Sequence, residues 1–101
     1  MMKPTLSVSI VEEEAGLDLD ELSRACRVRR TQIEVWVQEG VLAPEGTTPD
    51  DWRFRGSALR RARQAQRLSG ALELNPAGVA LALDLLDEIA ELRARLHRLG
   101  G

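Results

Sequence analysis

Six carboxylates stand between Glu12 and Glu21 in the stretch "EEEAGLDLDEL". Such a density could serve acid–base chemistry, hold a cation, or attract a basic partner. Acid–base work needs a carboxyl whose pKa is raised by apolar shielding or a close like charge. No apolar run encloses Glu12–Glu14 to supply that shielding. Asp18 and Glu21 have the spacing of a capping box, in which one carboxylate accepts from the helix backbone and the other reaches back to it. Glu12, Glu13, Glu14, Asp20 and Glu21 together form a candidate partner-binding surface, matched to a basic helix and to fast electrostatic encounter. A solvated loop ahead of a capped helix would explain the same residues without any partner.

The second set of chemical candidates is basic. Arg29, Arg30, Thr31 and Gln32 open a helix-like stretch with residue types that contact phosphates and base edges. Arg53 and Arg55, followed by Arg60 and Arg61, could extend a basic strip, so Arg29, Arg30, Thr31, Arg53 and Arg55 are candidate DNA contacts. Against this, the formal charge is −2 and the isoelectric point about 5.4. Duplex-binding domains are usually basic, because Lys and Arg contacts to phosphate supply most of the affinity. Glu34, Gln38 and Glu39 face outward after the first turn, and Glu45, Asp50 and Asp51 lie where phosphate contacts would help. Solvated arginines are the plainer reading. Lys3 is the sole lysine, a bias toward planar, bidentate cations.

Nucleophilic and metal chemistry find little material. His97 is the single histidine and Cys26 the single cysteine, so an intramolecular disulfide and a self-contained zinc site are both excluded. His97 sits near the end of a helix as a surface residue, and Cys26 falls on an apolar face as a small hydrophobe. There is no Gly-rich phosphate loop. Neither a catalytic residue nor a metal or other cofactor is expected, and the chain is not expected to be an enzyme. Trp36, Trp52 and Phe54 are the only aromatics, which leaves no material for a ring-lined ligand pocket. No apolar run approaches the roughly 20 residues of a membrane span, and the N-terminus lacks the pattern of a signal peptide. A cytoplasmic location is expected.

These residues must be positioned by a small chain. One hundred and one residues suit one domain with a thin core, a size at which self-association often adds stability. "TLSVSIV" (Thr5–Val11) alternates apolar and serine positions and predicts a half-buried strand. Leu19, Leu22 and Cys26 predict a short helix over about Leu19–Ala25, with "CRV" as the turn. A second helix is predicted over about Arg30–Glu39, with Ile33, Trp36 and Val37 inward and Gly40 as its left-handed stop; Arg29 is a poor N-cap. "WRFR" should turn Trp52 and Phe54 to one side and Arg53 and Arg55 to the other, as an edge strand able to pair with Thr5–Val11. A third helix is predicted over about Ser57–Ala71, with Leu59, Ala62, Ala65, Gln66 and Leu68 tracing its apolar stripe. The expected organisation is a winged part over about residues 5–71 and a long helix over about residues 75–99, within one domain spanning residues 1–101.

That last helix carries the clearest local signal, "ELNPAGVALALDLLDEIAELRARLHRLGG". Asn75 is a favoured N-cap, Pro76 a favoured first residue, and the arginines near the C-terminal end suit the helix dipole. Its length of roughly 35 Å exceeds what so small a domain can cover. Ala82, Leu85, Ile89, Leu92, Leu96 and Leu99 recur with heptad spacing. Val79, Leu83, Leu86 and Ala90 form a second stripe. One stripe can pack on the domain and leave Leu85, Ile89, Leu92, Leu96 and Leu99 for a second copy, giving a homodimer. A single broad core-facing stripe is the alternative.

The order of elements resembles the MerR-type winged helix-turn-helix architecture, a mostly α fold with a small β element. More narrowly, "LELNPAGVALALDLLDEIAELRARL" (Leu72–Leu96), "WVQEGVLAP", the Trp-x-Phe strand and "ARQAQRLSGAL" resemble the bacterial chaperone-modulator family CbpM, over about Thr5–Leu99. The resemblance implies a regulator that occupies the J-domain of a curved-DNA-binding, DnaJ-like co-chaperone, blocks its encounter with Hsp70 and affects its DNA binding. Nucleoid association would then come through that partner. J-domains of this kind present a basic helix, for which the acidic surface would be the counterpart. Two features depart from the family pattern: "EEEAGLD" is a longer loop, and the second helix opens with arginines. A MerR-type DNA-binding regulator is the alternative.

Overall fold

The computed structural model describes residues 16–100, so the predicted strand Thr5–Val11, its pairing and Glu12–Glu14 lie outside the described residues. Four helices follow in order: α1 (Leu19–Cys26), α2 (Arg30–Gln38), α3 (Gly56–Leu72) and α4 (Pro76–Arg98). The expected mostly helical, winged helix-turn-helix architecture is what the chain adopts.

Asp18 caps α1: its Oδ1 accepts from the Glu21 amide at 2.8 Å, and Glu21 Oε1 accepts from the Asp18 amide at 2.9 Å. Leu19, Leu22 and Cys26 are buried on one face. The turn to α2 is closed from both directions, because Val28 N–H donates to the Ser23 carbonyl while the Ser23 hydroxyl donates to the Val28 carbonyl. Arg27 ends α1 in the left-handed region at φ 60°. Arg29 precedes α2 in the N-cap position and supplies no side-chain cap. It stops at Gly40, φ +83°. There the Gly40 amide donates to the Val37 carbonyl and the Val41 amide to the Trp36 carbonyl, the paired bonds that satisfy a helix end. Ile33 and Trp36 are buried and Val37 packs partly against them.

The wing is a pair of antiparallel bridges, Glu45 with Arg53 and Leu17 with Phe54. Leu17 and Phe54 exchange both backbone bonds at 2.7 Å, so the residue before the α1 cap, rather than a longer strand, supplies the described partner of this segment. Trp52 and Phe54 point inward, edge to face with ring centroids 5.9 Å apart, while Arg53 and Arg55 point out. Gly46 is required in the wing: its φ is +112°, and a Cβ there would stand 2.7 Å from the Asp51 carbonyl oxygen.

Leu59, Ala62 and Ala65 bury one face of α3, but Gln66 does not join the stripe as expected; it is exposed. A polar amide gains nothing from burial without a partner, and the rotation that seats Ala62 and Ala65 leaves the next residue outside. Asn75 caps α4 by accepting from the Gly78 amide, with Pro76 in the first turn. Only Val79 and Leu83 of α4 are buried, and every residue from Asp84 to Gly100 is exposed. Of the two apolar stripes, the one led by Val79 and Leu83 meets the core, and Leu86 and Ala90 run off its edge.

Leu83 has no exposed surface while Leu81, two residues earlier, is 61% exposed. Leu83→Ala is expected to cost about 2–5 kcal/mol in chemical denaturation, against about 0.5 kcal/mol or less for Leu81→Ala.

Candidate functional site

Three surfaces carry the chemistry expected from the sequence. On the first turn of α1, Asp20 and Glu21 are exposed. Asp20 lies 3.2 Å from Arg30 Nε, an ion pair joining α1 to α2 with both side chains about half exposed. Glu21 serves the capping box. Each keeps carboxylate oxygen facing solvent, so this turn can still meet a cationic partner.

The candidate DNA contacts divide between two places. Arg29 and Thr31 are exposed at the start of α2. Arg30 is drawn to Asp20, Arg55 lies 3.5 Å from Glu45 across the wing, and Arg53 donates to the neighbouring Trp52 carbonyl at 3.2 Å. The carboxylates beside Arg30 and Arg55 offset part of the attraction these cations would have for phosphate, although both pairs are exposed and leave other guanidinium N–H groups open. Cys26 is buried, and His97 is exposed in the last turn of α4 beside Arg95 and Arg98, where cations suit the helix end. Among the described residues no group of His, Cys, Asp and Glu could hold a metal ion, and no helix is long and apolar enough to cross a membrane.

The third surface is the outer face of α4. Leu85, Ile89, Leu92, Leu96 and Leu99 are between 44% and 83% exposed. They lie in line on a helix whose opposite stripe holds it to the domain. Solvated leucines at heptad spacing form a continuous seam, well suited to another helix.

Arg61 has a role that the sequence reading missed by placing it in an outward basic strip. Its Nε donates to the Val41 carbonyl at 2.6 Å, and its two terminal nitrogens reach Asp87 at 3.0 Å and Asp84 at 3.3 Å. One guanidinium thus fastens α3 to the segment after α2 and to α4. A signal was present: Asp84 and Asp87 are three apart on one helix face, a matching fork for a single arginine. The segment that Arg61 grips, however, is set by tertiary structure.

Compared with known proteins, residues 17–100 match the family model described as MerR HTH family regulatory protein. The chain is similar to a chaperone modulatory protein CbpM of Coxiella burnetii, 40% identical over 99 residues that cover 98% of this chain and 93% of that protein. Proteins of the same name from Pseudomonas putida are 38% identical over 78 residues, covering 77% of both chains, and 37% identical over 83 residues, covering 82% of both.

The Arg61 side chain is only 25% exposed, whereas those of Asp84 and Asp87 are about 70% exposed. Removal of the guanidinium leaves the Val41 carbonyl without its donor, so Arg61→Met should cost about 2 kcal/mol in denaturant unfolding. Neutralising both carboxylates, as Asn, should cost under about 1 kcal/mol because exposed ion pairs are weak. Equal costs for the two changes would place the strength in the ion pairs instead.

Proposed function

The chain belongs to the CbpM family of chaperone modulatory proteins, within the MerR-type helix-turn-helix regulators, and from that membership we propose that it is a non-enzymatic modulator of a J-domain co-chaperone. It binds the J-domain of a curved-DNA-binding, DnaJ-like protein in the cytoplasm, withholds it from Hsp70 and alters that partner's hold on DNA. The observation that supports this reading most strongly is the extent of the similarity, which runs through the winged part and the long helix alike. The acidic turn at Asp20 and Glu21, with Glu12, Glu13 and Glu14 preceding it in sequence, is the surface we assign to a basic helix of the J-domain. Opposite charge there speeds encounter and disfavours acidic competitors.

Two copies associate through the seam Leu85, Ile89, Leu92, Leu96 and Leu99. The support for this is the run of exposed leucines beyond the reach of the core. Direct DNA binding through Arg29, Arg30, Thr31, Arg53 and Arg55 is the second reading. The MerR-type fold favours it, and the carboxylates beside Arg30 and Arg55 count against it.

Calorimetric titration with the J-domain of the same organism's curved-DNA-binding co-chaperone should give saturable binding at micromolar concentration or below. Glu12, Glu13 and Glu14 changed together to Gln, with Asp20→Asn, should weaken it by about tenfold or more and flatten its salt dependence. Glu21 is left in place because it caps α1. No heat at high concentration would sink the J-domain reading, and unchanged affinity in the variant would move the surface elsewhere. For the dimer, Ile89→Glu with Leu92→Glu should give the monomer mass in sedimentation equilibrium, with circular dichroism retaining the helices of the winged part. A wild-type chain that already sediments as a monomer would remove the seam from the account.

A further inference from the structure

Two hollows adjoin where the end of α1 and the start of α2 meet the second half of α3. One, about 540 Å³ in volume, is lined by Ala25, Cys26, Arg27, Arg63, Gln66 and Arg67. The other, about 520 Å³, runs from Arg29 and Val35 across to Ser69 and Gly70. Arg27 and Gln66 line both, so the hollows adjoin as the two halves of one arginine-bordered trough.

Its charge is one-sided. Arg27, Arg29, Arg63 and Arg67 line it and no carboxylate does. All four are exposed. None forms an ion pair with another described residue, whereas Arg30, Arg55, Arg61 and Arg95 each have a carboxylate within 4 Å. Among the described residues, the four guanidinium groups make one hydrogen bond, a long one from Arg63 to the Ala25 carbonyl at 3.5 Å. In a chain of net charge −2, four guanidinium groups without a carboxylate partner among the described residues make a local field around this hollow opposite in sign to the whole.

Arg27 adds a second kind of observation. It lies over both halves of the trough with φ 60° and ψ 43°, a conformation that glycine or asparagine holds at far lower cost. The neighbouring turn uses glycine at the equivalent place, Gly40. Glu73, φ 55°, ends α3 in the same conformation away from the trough. Arg27 is the one of the two that lies over a hollow, and that coincidence motivates a use for its side chain.

We propose that this trough is a docking site for an extended acidic segment of a partner protein, its carboxylates pairing with Arg27, Arg29, Arg63 and Arg67. Val28 and Val35, both half-buried in the second hollow, give a footing for an apolar side chain between the acidic ones. Nucleic acid fits less well. Unpaired bases bind by stacking on exposed rings, and Trp36, Trp52 and Phe54 are all 9% exposed or less. A duplex is read by an element that protrudes into its groove, and this surface is concave. The site lies at the end of α1 opposite to Asp20 and Glu21, so the inference stands independently of the J-domain reading.

The test is fluorescence anisotropy of the full chain with a short labelled peptide of alternating Glu and Leu, beside a Lys–Leu peptide and a thymidine oligonucleotide. The Glu–Leu peptide should bind saturably at low salt and weaken as salt rises. Arg27→Gly should weaken it about fivefold, and Arg63→Ala with Arg67→Ala by about tenfold or more, from roughly one exposed ion pair each. Arg93→Ala, on α4 away from the trough, should leave it unchanged. Arg27→Gly should also raise the Tm, because the strained residue is relieved while the ligand is lost. No binding, equal binding by the trough variants, or tighter binding of the oligonucleotide would overturn the proposal. A lowered Tm in Arg27→Gly would make that arginine structural and remove it from the site.

Discussion

Burial of Val79 and Leu83 is the constraint from which the shape of this protein follows. The winged part has a modest core, formed largely by α1, α2, α3 and the two aromatics of the wing, and these two residues of α4 complete it. Apolar burial of this kind is the main favourable contribution to folding, yet it reaches only the first two turns of a 23-residue helix. Arg61 meets the helix where the remainder leaves the domain, because Asp84 and Asp87 follow closely on the last buried residue. The same guanidinium holds Val41, whose amide closes α2 onto Trp36. The end of the second helix and the course of the fourth are therefore mechanically one unit.

The helix-turn-helix is retained here with its charges redistributed. Arginines occupy the start of α2, but Arg30 is turned to Asp20 on α1, and the wing's Arg55 faces Glu45. Guanidinium groups of the kind that contact phosphate here pair across α1 and α2 and within the wing. The carboxylates, meanwhile, gather at the opening of α1 and along α4. The scaffold carries separate acidic, basic and apolar surfaces.

Local chemistry was legible in the sequence, and long-range orientation was not. The caps at Asp18 with Glu21 and at Asn75 with Pro76, and the stop at Gly40, act within a few residues, and they placed the starts of α1 and α4 and the end of α2 to within a residue or so. The alternation of Trp52 and Phe54 gave their burial for the same reason. Gln66 was misplaced because its helical spacing matches the apolar face while its amide has no partner there. Arg61 was misread because nothing near it in sequence marks the Val41 carbonyl as its acceptor. The left-handed Arg27 gave no signal, since its conformation is imposed by the Ser23–Val28 closure around it. Of the candidate site, the residue types were readable, but the way the turn after α1 gathers arginines from two helices was not.

The bare outer face of α4 has a consequence for the life of the protein in a cell. If two copies pair through it as proposed, an unpaired copy displays a row of apolar side chains to solvent, a patch of the kind that marks an interaction surface or an aggregation liability. A modulator of chaperones would thus, while alone, look like a client of them. Pairing of copies, if made as proposed, would conceal that face, and by mass action the exposed form would be the one that prevails when the protein is scarce rather than when it is abundant.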